Sequence, residues 1–399
     1  MSEALTKAIV TAADEGRLED VKAALAAGAS PDAMGPNSSA LHMASFNGHE
    51  EIVQLLLQHK ANPNLLDKQS FYPLQLAASK GRDAICKLLI ENGATIEAKT
   101  QHGGTALHVA AASDFPSTIQ VLLDAGANKE ATDTGGNTPL LTACGLARAK
   151  VANTLIDAGA STSVLSDGEE TLLHKLARGI RSIRVKKWEI SGEIEGRDRK
   201  YTIVNGMFSI EEGDWSKVLT VQEQRKCAKL DWGPKAHLPY LEACDLFANL
   251  VKDGRNIHAL DSGLNSAFNL VCHTGEARLV RLMLKAKSKW ELNNTVGATP
   301  LHMAAGSGRS DGLEALLKAI PKTKLAARIN FQDEFGWTPL HYLADIGGDV
   351  SMVAMMLAHG ADRNAASTKE RGNGMPAGMR PMDVAKHWKD REMAALLLP

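Results

Sequence analysis

The sequence predicts an all-α repeat solenoid: short capped helical repeats stacked in a row, with a small lobe of mixed strand and helix character inserted part-way along. Three observations predict it. A seven-residue phrase, Thr299-Pro300-Leu301-His302-Met303-Ala304-Ala305, returns as Thr105-Ala106-Leu107-His108-Val109-Ala110-Ala111 and, shortened, as Thr338-Pro339-Leu340-His341. Its first position recurs at Ser39, Tyr72, Thr105, Thr138 and Thr171, each 33 residues after the last. The series resumes at Ser266 and Thr299, again 33 apart, then at Thr338 after 39 residues and at Arg380 after 42.

Each part of the phrase has a physical role. The Thr299 hydroxyl can cap a helix N-terminus, and Pro300 takes the first helical position, where a missing N–H costs nothing. His302 falls at the third position, from which a polar side chain reaches back to the cap. Leu301, Ala304 and Ala305 form the inward, close-packing face. Seven residues of capped helix cannot bury their own apolar face, so a repeat of this segment implies stacking.

A T-P-L-H-x-A phrase at a 33-residue period resembles the ankyrin repeat. The resemblance covers nearly the whole chain apart from one insertion. It implies about nine to ten repeats, counting atypical ones at both ends. Each would hold a helix-turn-helix and a β-hairpin finger.

Residues 1–33 read as an N-terminal cap. Leu5, Ala8, Ile9 and Ala12 lie at helical spacing, Gly16 breaks, Val21, Leu25 and Ala26 give a second amphipathic turn, and Gly28 to Asp32 resembles the repeat's hairpin. The next repeats are regular, with Ile85, Leu88 and Leu89 as an outer-helix stripe. Glycine follows that helix at Gly93, Gly126 and Gly159, where the chain must turn left-handed, but Lys60 stands there in the first full repeat and predicts a different helix end. Pro116 opens an outer helix at a tolerated position.

The repeat that begins Thr171-Leu172-Leu173-His174 is interrupted. Its second half resumes as a stripe of Leu246, Phe247, Leu250 and Val251, followed by a hairpin match over Gly254 to Asp261. Thr171 and Ser266 are 95 residues apart, so 62 are inserted at the turn between two helices. The chain therefore divides into N-terminal repeats at 1–179, an inserted lobe at 180–241 and C-terminal repeats at 242–399, with 380–399 as a cap. The lobe carries Trp188, Trp215 and Trp232 with Tyr201, Phe208 and Tyr240, too aromatic a set for a disordered linker. Trp188-Glu189-Ile190 and Tyr201-Thr202-Ile203 alternate like strands, Gly192, Gly196 and Asn205-Gly206 supply turns, and Trp215 to Leu230 reads as a helix. Further on, six surplus residues surround Pro321–Ala327, and nine more fall in a Gly-, Ser- and charge-rich finger at Ser367 to Gly378, expected to be mobile. Three leucines close the chain at Leu396, Leu397 and Leu398, some of which should pack inward.

Composition narrows the function. A net charge of −1 argues against nucleic-acid and membrane-surface roles, which need a basic excess. No apolar run approaches the ~18–20 residues of a membrane span. Met1 to Asp20 holds five acids and no apolar core, so it is not read as a secretory signal. Five scattered cysteines with no C-x-x-C pair suit a reducing cytoplasmic or nuclear compartment. A monomer is expected.

No nucleophile elbow, phosphate loop, H-E-x-x-H or dinucleotide fingerprint occurs, so no catalytic residue, cofactor or metal ligand is assigned. Nine of the thirteen histidines occupy repeat positions, leaving His102, His237, His273 and His387 scattered. Glu169-Glu170 and Glu211-Glu212 are neighbours in sequence rather than opposed in a cleft. The one basic stretch holds Lys175, Arg178, Arg181, Arg184, Lys186 and Lys187. It is either a solvated face or a dock for an acidic or phosphate-bearing partner.

The resemblance implies binding to another protein through the finger tips and the exposed inner-helix face, which line a concave groove. The matching positions carry Phe46 and Asn47; Lys68, Gln69 and Phe71; Gln101 and His102; Asn137; His273; Glu334, Phe335 and Trp337; Asp345 and Ile346; and His387 and Trp388. Aromatic residues there resemble interface anchors, although Phe71 and Trp337 could instead pack on the next finger. The expected role is a protein-interaction module or scaffold. Two rivals are an enzyme with a pocket between lobe and solenoid, His237 facing the basic run, and an inhibitor or immunity-type protein that occludes an enzyme or toxin.

Overall fold

The computed structural model describes residues 3–183, 188–194, 197–204, 207–210, 238–254, 257–347, 350–371 and 374–398, with only the backbone described at 183, 188–194, 197–204, 207–210 and 238–241. Two compact units divide the chain, Met1–Gly168 and Glu169–Pro399.

The first unit holds five helix pairs: α1 (Glu3–Asp14) with α2 (Leu18–Ala26), α3 (Ala40–Asn47) with α4 (Glu50–Gln58), α5 (Pro73–Ser79) with α6 (Asp83–Glu91), α7 (Ala106–Ser113) with α8 (Pro116–Asp124), and α9 (Pro139–Gly145) with α10 (Ala149–Asp157). Odd-numbered helices pack in series as an inner layer and even-numbered ones as an outer layer. The core follows the phrase. Leu41, Leu74, Leu107 and Leu140 are buried with the small Ala44, Ala77, Ala110 and Ala143, which let successive inner helices approach closely. Ile52, Leu56, Ile85, Leu89, Ile119, Leu122, Val151 and Leu155 close the outer layer.

The second unit opens with α11 (Leu172–Ile183). A three-stranded antiparallel sheet follows, β1 (Trp188–Ile194), β2 (Arg197–Val204) and β3 (Met207–Ile210), with Trp188 opposite Ile203 and Tyr201 opposite Ile210. The alternating residues thus form strands. The expected helix at Trp215 to Leu230, along with Trp232 and His237, lies outside the described residues. Helix α12 (Leu238–Lys252) then packs on α11 and completes the interrupted repeat, with Leu173 and Leu246 both buried. The helices overrun the expected boundaries, α11 past residue 179 and α12 starting before 242.

The repeats continue as α13 (Ala267–Thr274) with α14 (Ala277–Lys285), α15 (Pro300–Ala305) with α16 (Ser310–Ala319), α18 (Pro339–Ile346) with α19 (Val350–Ala358), and α20 (Pro381–His387) with α21 (Arg391–Leu396). The stretch that holds the six surplus residues forms a further short helix, α17 (Lys322–Arg328), seated by the buried Leu325 and Ile329. The finger expected to be mobile is packed in its described part. Arg371 pairs with Met375 in an antiparallel bridge, the Ser367 N–H donates to the Met379 carbonyl at 2.8 Å, and Met375 is buried. Of the final leucines, Leu397 packs inward while Leu396 and Leu398 stay exposed.

Two side-chain ladders tie repeat to repeat. The first uses the phrase histidine. In His302 the Nδ1 accepts the Thr299 backbone N–H at 3.1 Å, so Nε2 carries the proton and bonds the Trp337 carbonyl of the next finger at 2.9 Å. His42, His108, His174 and His341 repeat this, reaching the carbonyls of Phe71, Asn137, Asn265 and Met379. Gln75 does the same with its amide, accepting from Tyr72 at 3.1 Å and donating to the Ala98 carbonyl at 2.8 Å. The second ladder uses the tenth position after the cap. Arg82, Arg148 and Arg309 donate to the carbonyls of Asn47, Ala112 and Thr274, near the ends of the preceding inner helices, where carbonyls lack helical partners.

The fingers are held by short polar side chains. Asp133 accepts from the N–H groups of Gly135 and Asn137, and Asp333 from those of Phe335 and Trp337. Neighbouring tips bond directly, Thr134 N–H to the His102 carbonyl and Thr368 N–H to the Phe335 carbonyl. Gly336 turns at φ +77, and a Cβ there would lie 2.4 Å from the Thr368 nitrogen, so only glycine fits beneath the next finger. Lys60 adopts φ 68, the left-handed conformation that glycine takes at Gly93 and Gly126. The helix end expected to differ is therefore the same, with a strained residue in it.

Candidate functional site

The histidines of the phrase are structural. Burial pushes His302 and His341 down to about 4 and lowers His42, His108 and His174. They stay neutral, as their two backbone bonds require. Burial drives the Cys86 and Cys144 thiols up to about 12, so both remain thiols and poor nucleophiles. Among the described residues no three His, Cys, Asp or Glu side chains lie close enough to hold a metal ion.

The basic stretch divides. Lys175 pairs with Glu170 at 2.6 Å, and Arg178 bridges Glu170 and Asp261, each at 2.7 Å. Those acids come from just upstream and from a finger far along the chain, so scanning forward from Arg178 misses both. Arg178 is thus not a free cation for docking. Arg181 is lowered by burial and by Arg178. His273 is pushed down to about 4 by burial and by these two arginines. Arg184, Lys186 and Lys187 lie outside the described residues.

Of the expected contact positions, Lys68, Gln69, Gln101, His102, Glu334, Ile346, His387 and Trp388 are exposed. Phe46, Asn47, Phe71, Asn137, His273, Phe335 and Asp345 are half-buried. Phe46 lies under the Lys80 ammonium at 4.5 Å, and Asn47 is engaged in two bonds to Asp14. Trp337 corrects the expectation. It is only 1% exposed, with its ring beside His341 and Tyr342, so it is core rather than an exposed anchor.

One group converges on solvent. Trp388 Nε1 donates to Asp345 Oδ1 at 2.9 Å, the His387 ring stands edge-on to Trp388 with centroids 5.1 Å apart, and Ile346 follows Asp345 at the end of α18. Ile346 is 50% exposed and Trp388 41%. Both sit eight residues after their caps, where the two preceding repeats carry Ser307 and Thr274. Sequence reasoning missed Tyr342 and Arg371, which pack against Trp337. Arg371 sits in the surplus finger and has no counterpart in the other repeats.

Comparison with known proteins agrees with this geometry. A family described as ankyrin repeats (3 copies) matches residues 9–100 and 96–166, and a single ankyrin repeat matches residues 335–368. The human transient receptor potential cation channel subfamily A member 1 is 33% identical over 99 residues, 24% of this chain and 9% of the channel. Ankyrin repeat protein nuc-2 of Neurospora crassa is 34% identical over 103 residues, 26% of this chain and 9% of that protein. In each case the match spans less than a tenth of the relative's length, 9% in both. With paired helices, bonded fingers and the His-to-finger tie recurring through each unit, the chain carries ankyrin repeats, matched over residues 9–166 and 335–368.

Proposed function

We propose that the chain is a protein-interaction module whose contact surface includes the exposed ends of α18 and α20. One observation carries this reading: two large apolar side chains, Ile346 and Trp388, stand exposed at the same position of consecutive repeats, where smaller polar residues stand in the two repeats before them. An aromatic oriented by a hydrogen bond to Asp345 loses little freedom on binding, and such residues supply a large share of interface energy.

The test is direct. The intact chain serves as bait, each captured protein is purified, and its affinity is measured by calorimetry against the wild type and an Ile346→Lys, Trp388→Lys variant with an unchanged melting temperature. At least a tenfold loss in the variant is expected. Equal affinity for every captured protein would overturn the reading.

A further inference from the structure

Two irregularities of the second unit meet at one point. The repeat opening at Thr338 has aromatics three positions and one position before its cap, Phe335 and Trp337, and another four positions after it, Tyr342. No other repeat has aromatics at all three: the repeat opening at Tyr72 carries Gln69, Phe71 and Leu76, and the one opening at Thr105 carries His102, Gly104 and Val109. It is also the repeat whose following finger is lengthened, to a 42-residue step between caps. The lengthened finger delivers Arg371 onto those rings. Its guanidinium carbon lies 4.1 Å from the Trp337 ring centre, 4.8 Å from Tyr342 and 5.8 Å from Phe335. Tyr342 is fixed by donating its hydroxyl to Asp333 Oδ2 at 2.9 Å.

Three aromatic faces around one cation make a cation-binding cage. The present occupant fits it imperfectly, because Arg371 Nη1 is buried with no hydrogen-bond acceptor among the described residues. A buried unsatisfied donor weakens the seated state and favours exchange. The finger that carries the arginine is anchored apart from the cage by the Ser367–Met379 pairing and the buried Met375, so the side chain can leave without unpairing the hairpin base.

We infer that Phe335, Trp337 and Tyr342 form a receptor for an arginine side chain of a partner, and that Arg371 is an internal competitor which occupies it until such a chain displaces it. The occupant's class follows from what the cage already holds, a guanidinium flat enough to lie along Trp337 while facing Tyr342. The inference rests on the reading of the chain as a protein-interaction module and assigns that module a specific side-chain receptor.

The probe is the peptide acetyl-Gly-Gly-Arg-Gly-Gly-amide, with the citrulline peptide of equal shape and no charge as its control. Binding to the full chain is followed by the indole proton of Trp337, assigned with a Trp337→Phe variant. Arg371→Ala is expected to bind the arginine peptide at least tenfold more tightly than wild type and the citrulline peptide no better. Adding Tyr342→Leu to Arg371→Ala is expected to abolish that gain. Equal affinity of wild type and Arg371→Ala, or equal binding of the two peptides, overturns the inference. So does a melting temperature for Arg371→Ala more than about 10 °C below wild type, which would make the arginine a structural lock. No natural partner is needed, so this measurement can fail while the Ile346 and Trp388 surface stands, and the reverse.

Discussion

The two units solve the same packing problem with different regularity. From Ser39 to Thr138 the first unit keeps a 33-residue step between caps. The second breaks the step at the insertion after α11, at α17 and at the finger after α19. The tie between repeats survives each break. His108 reaches a carbonyl 29 residues on at 2.9 Å, His174 one 91 residues on at 2.9 Å, and His341 one 38 residues on at 3.0 Å. The interface is therefore fixed by which groups meet, and chain length between them is free to vary. Added length at a turn or finger costs only the slowly growing entropy of closing a longer loop. What does change is the content of the interface. Asn137 precedes the cap at Thr138 in the first unit and Asn265 the cap at Ser266 in the second, whereas Trp337 precedes the cap at Thr338.

Five substitutions, grouped in four tests, sharpen or break that contrast, from the largest effect down. Trp337→Ala empties the core of the second unit and is expected to cost about 3–5 kcal/mol in a urea titration. A loss under half a kilocalorie would return Trp337 to the surface. Leu107→Ala removes a buried leucine of the repeated phrase in the first unit, with an expected cost of ~2–5 kcal/mol. If the two variants shift different unfolding transitions, each unit is cooperative by itself; one shared transition would show that their stabilities are coupled.

The third concerns pH. His302 and His341 are held neutral near 4 in the fold and regain an ordinary value near 6.5 on unfolding. The unfolded chain therefore binds more protons between these values. Stability is full above about pH 6.5 and falls as pH drops toward 4, by roughly 1.4 kcal/mol per pH unit for each histidine. His302→Gln, which copies Gln75, keeps both backbone bonds without the titration. Between pH 7 and pH 5 it should lose about 2 kcal/mol less stability than wild type by urea midpoint. An identical pH slope in the two proteins would remove His302 from the account. Last, Lys60→Gly and Lys287→Gly relieve left-handed residues at φ 68 and 59, one in each unit, and should each stabilise by up to ~1 kcal/mol. Destabilisation by either would mean that the lysine side chain contributes more than its backbone strain costs.

Much of this architecture was legible in the residues themselves. The phrase and its 33-residue step located most of the inner helices, the caps and the buried leucines, because propensity, capping and periodicity are local properties repeated many times. They also placed the break after α11 and the strands that follow it. The candidate contacts were legible only as positions. A residue before a cap is exposed or buried according to what the next finger brings, and that finger is 33 or more residues away. Trp337 has the sequence context of an exposed anchor and lies in the core, because Arg371, His341 and Tyr342 close around it.

The sequence by itself determined the repeat, its caps and its layer of small inner residues, since a helix of two turns carries its whole instruction within seven residues. Only the tertiary structure decided which histidine nitrogen carries the proton, which arginine is paired and which aromatics meet solvent. Those outcomes depend on groups from neighbouring repeats, whose distance in space bears no fixed relation to their distance along the chain.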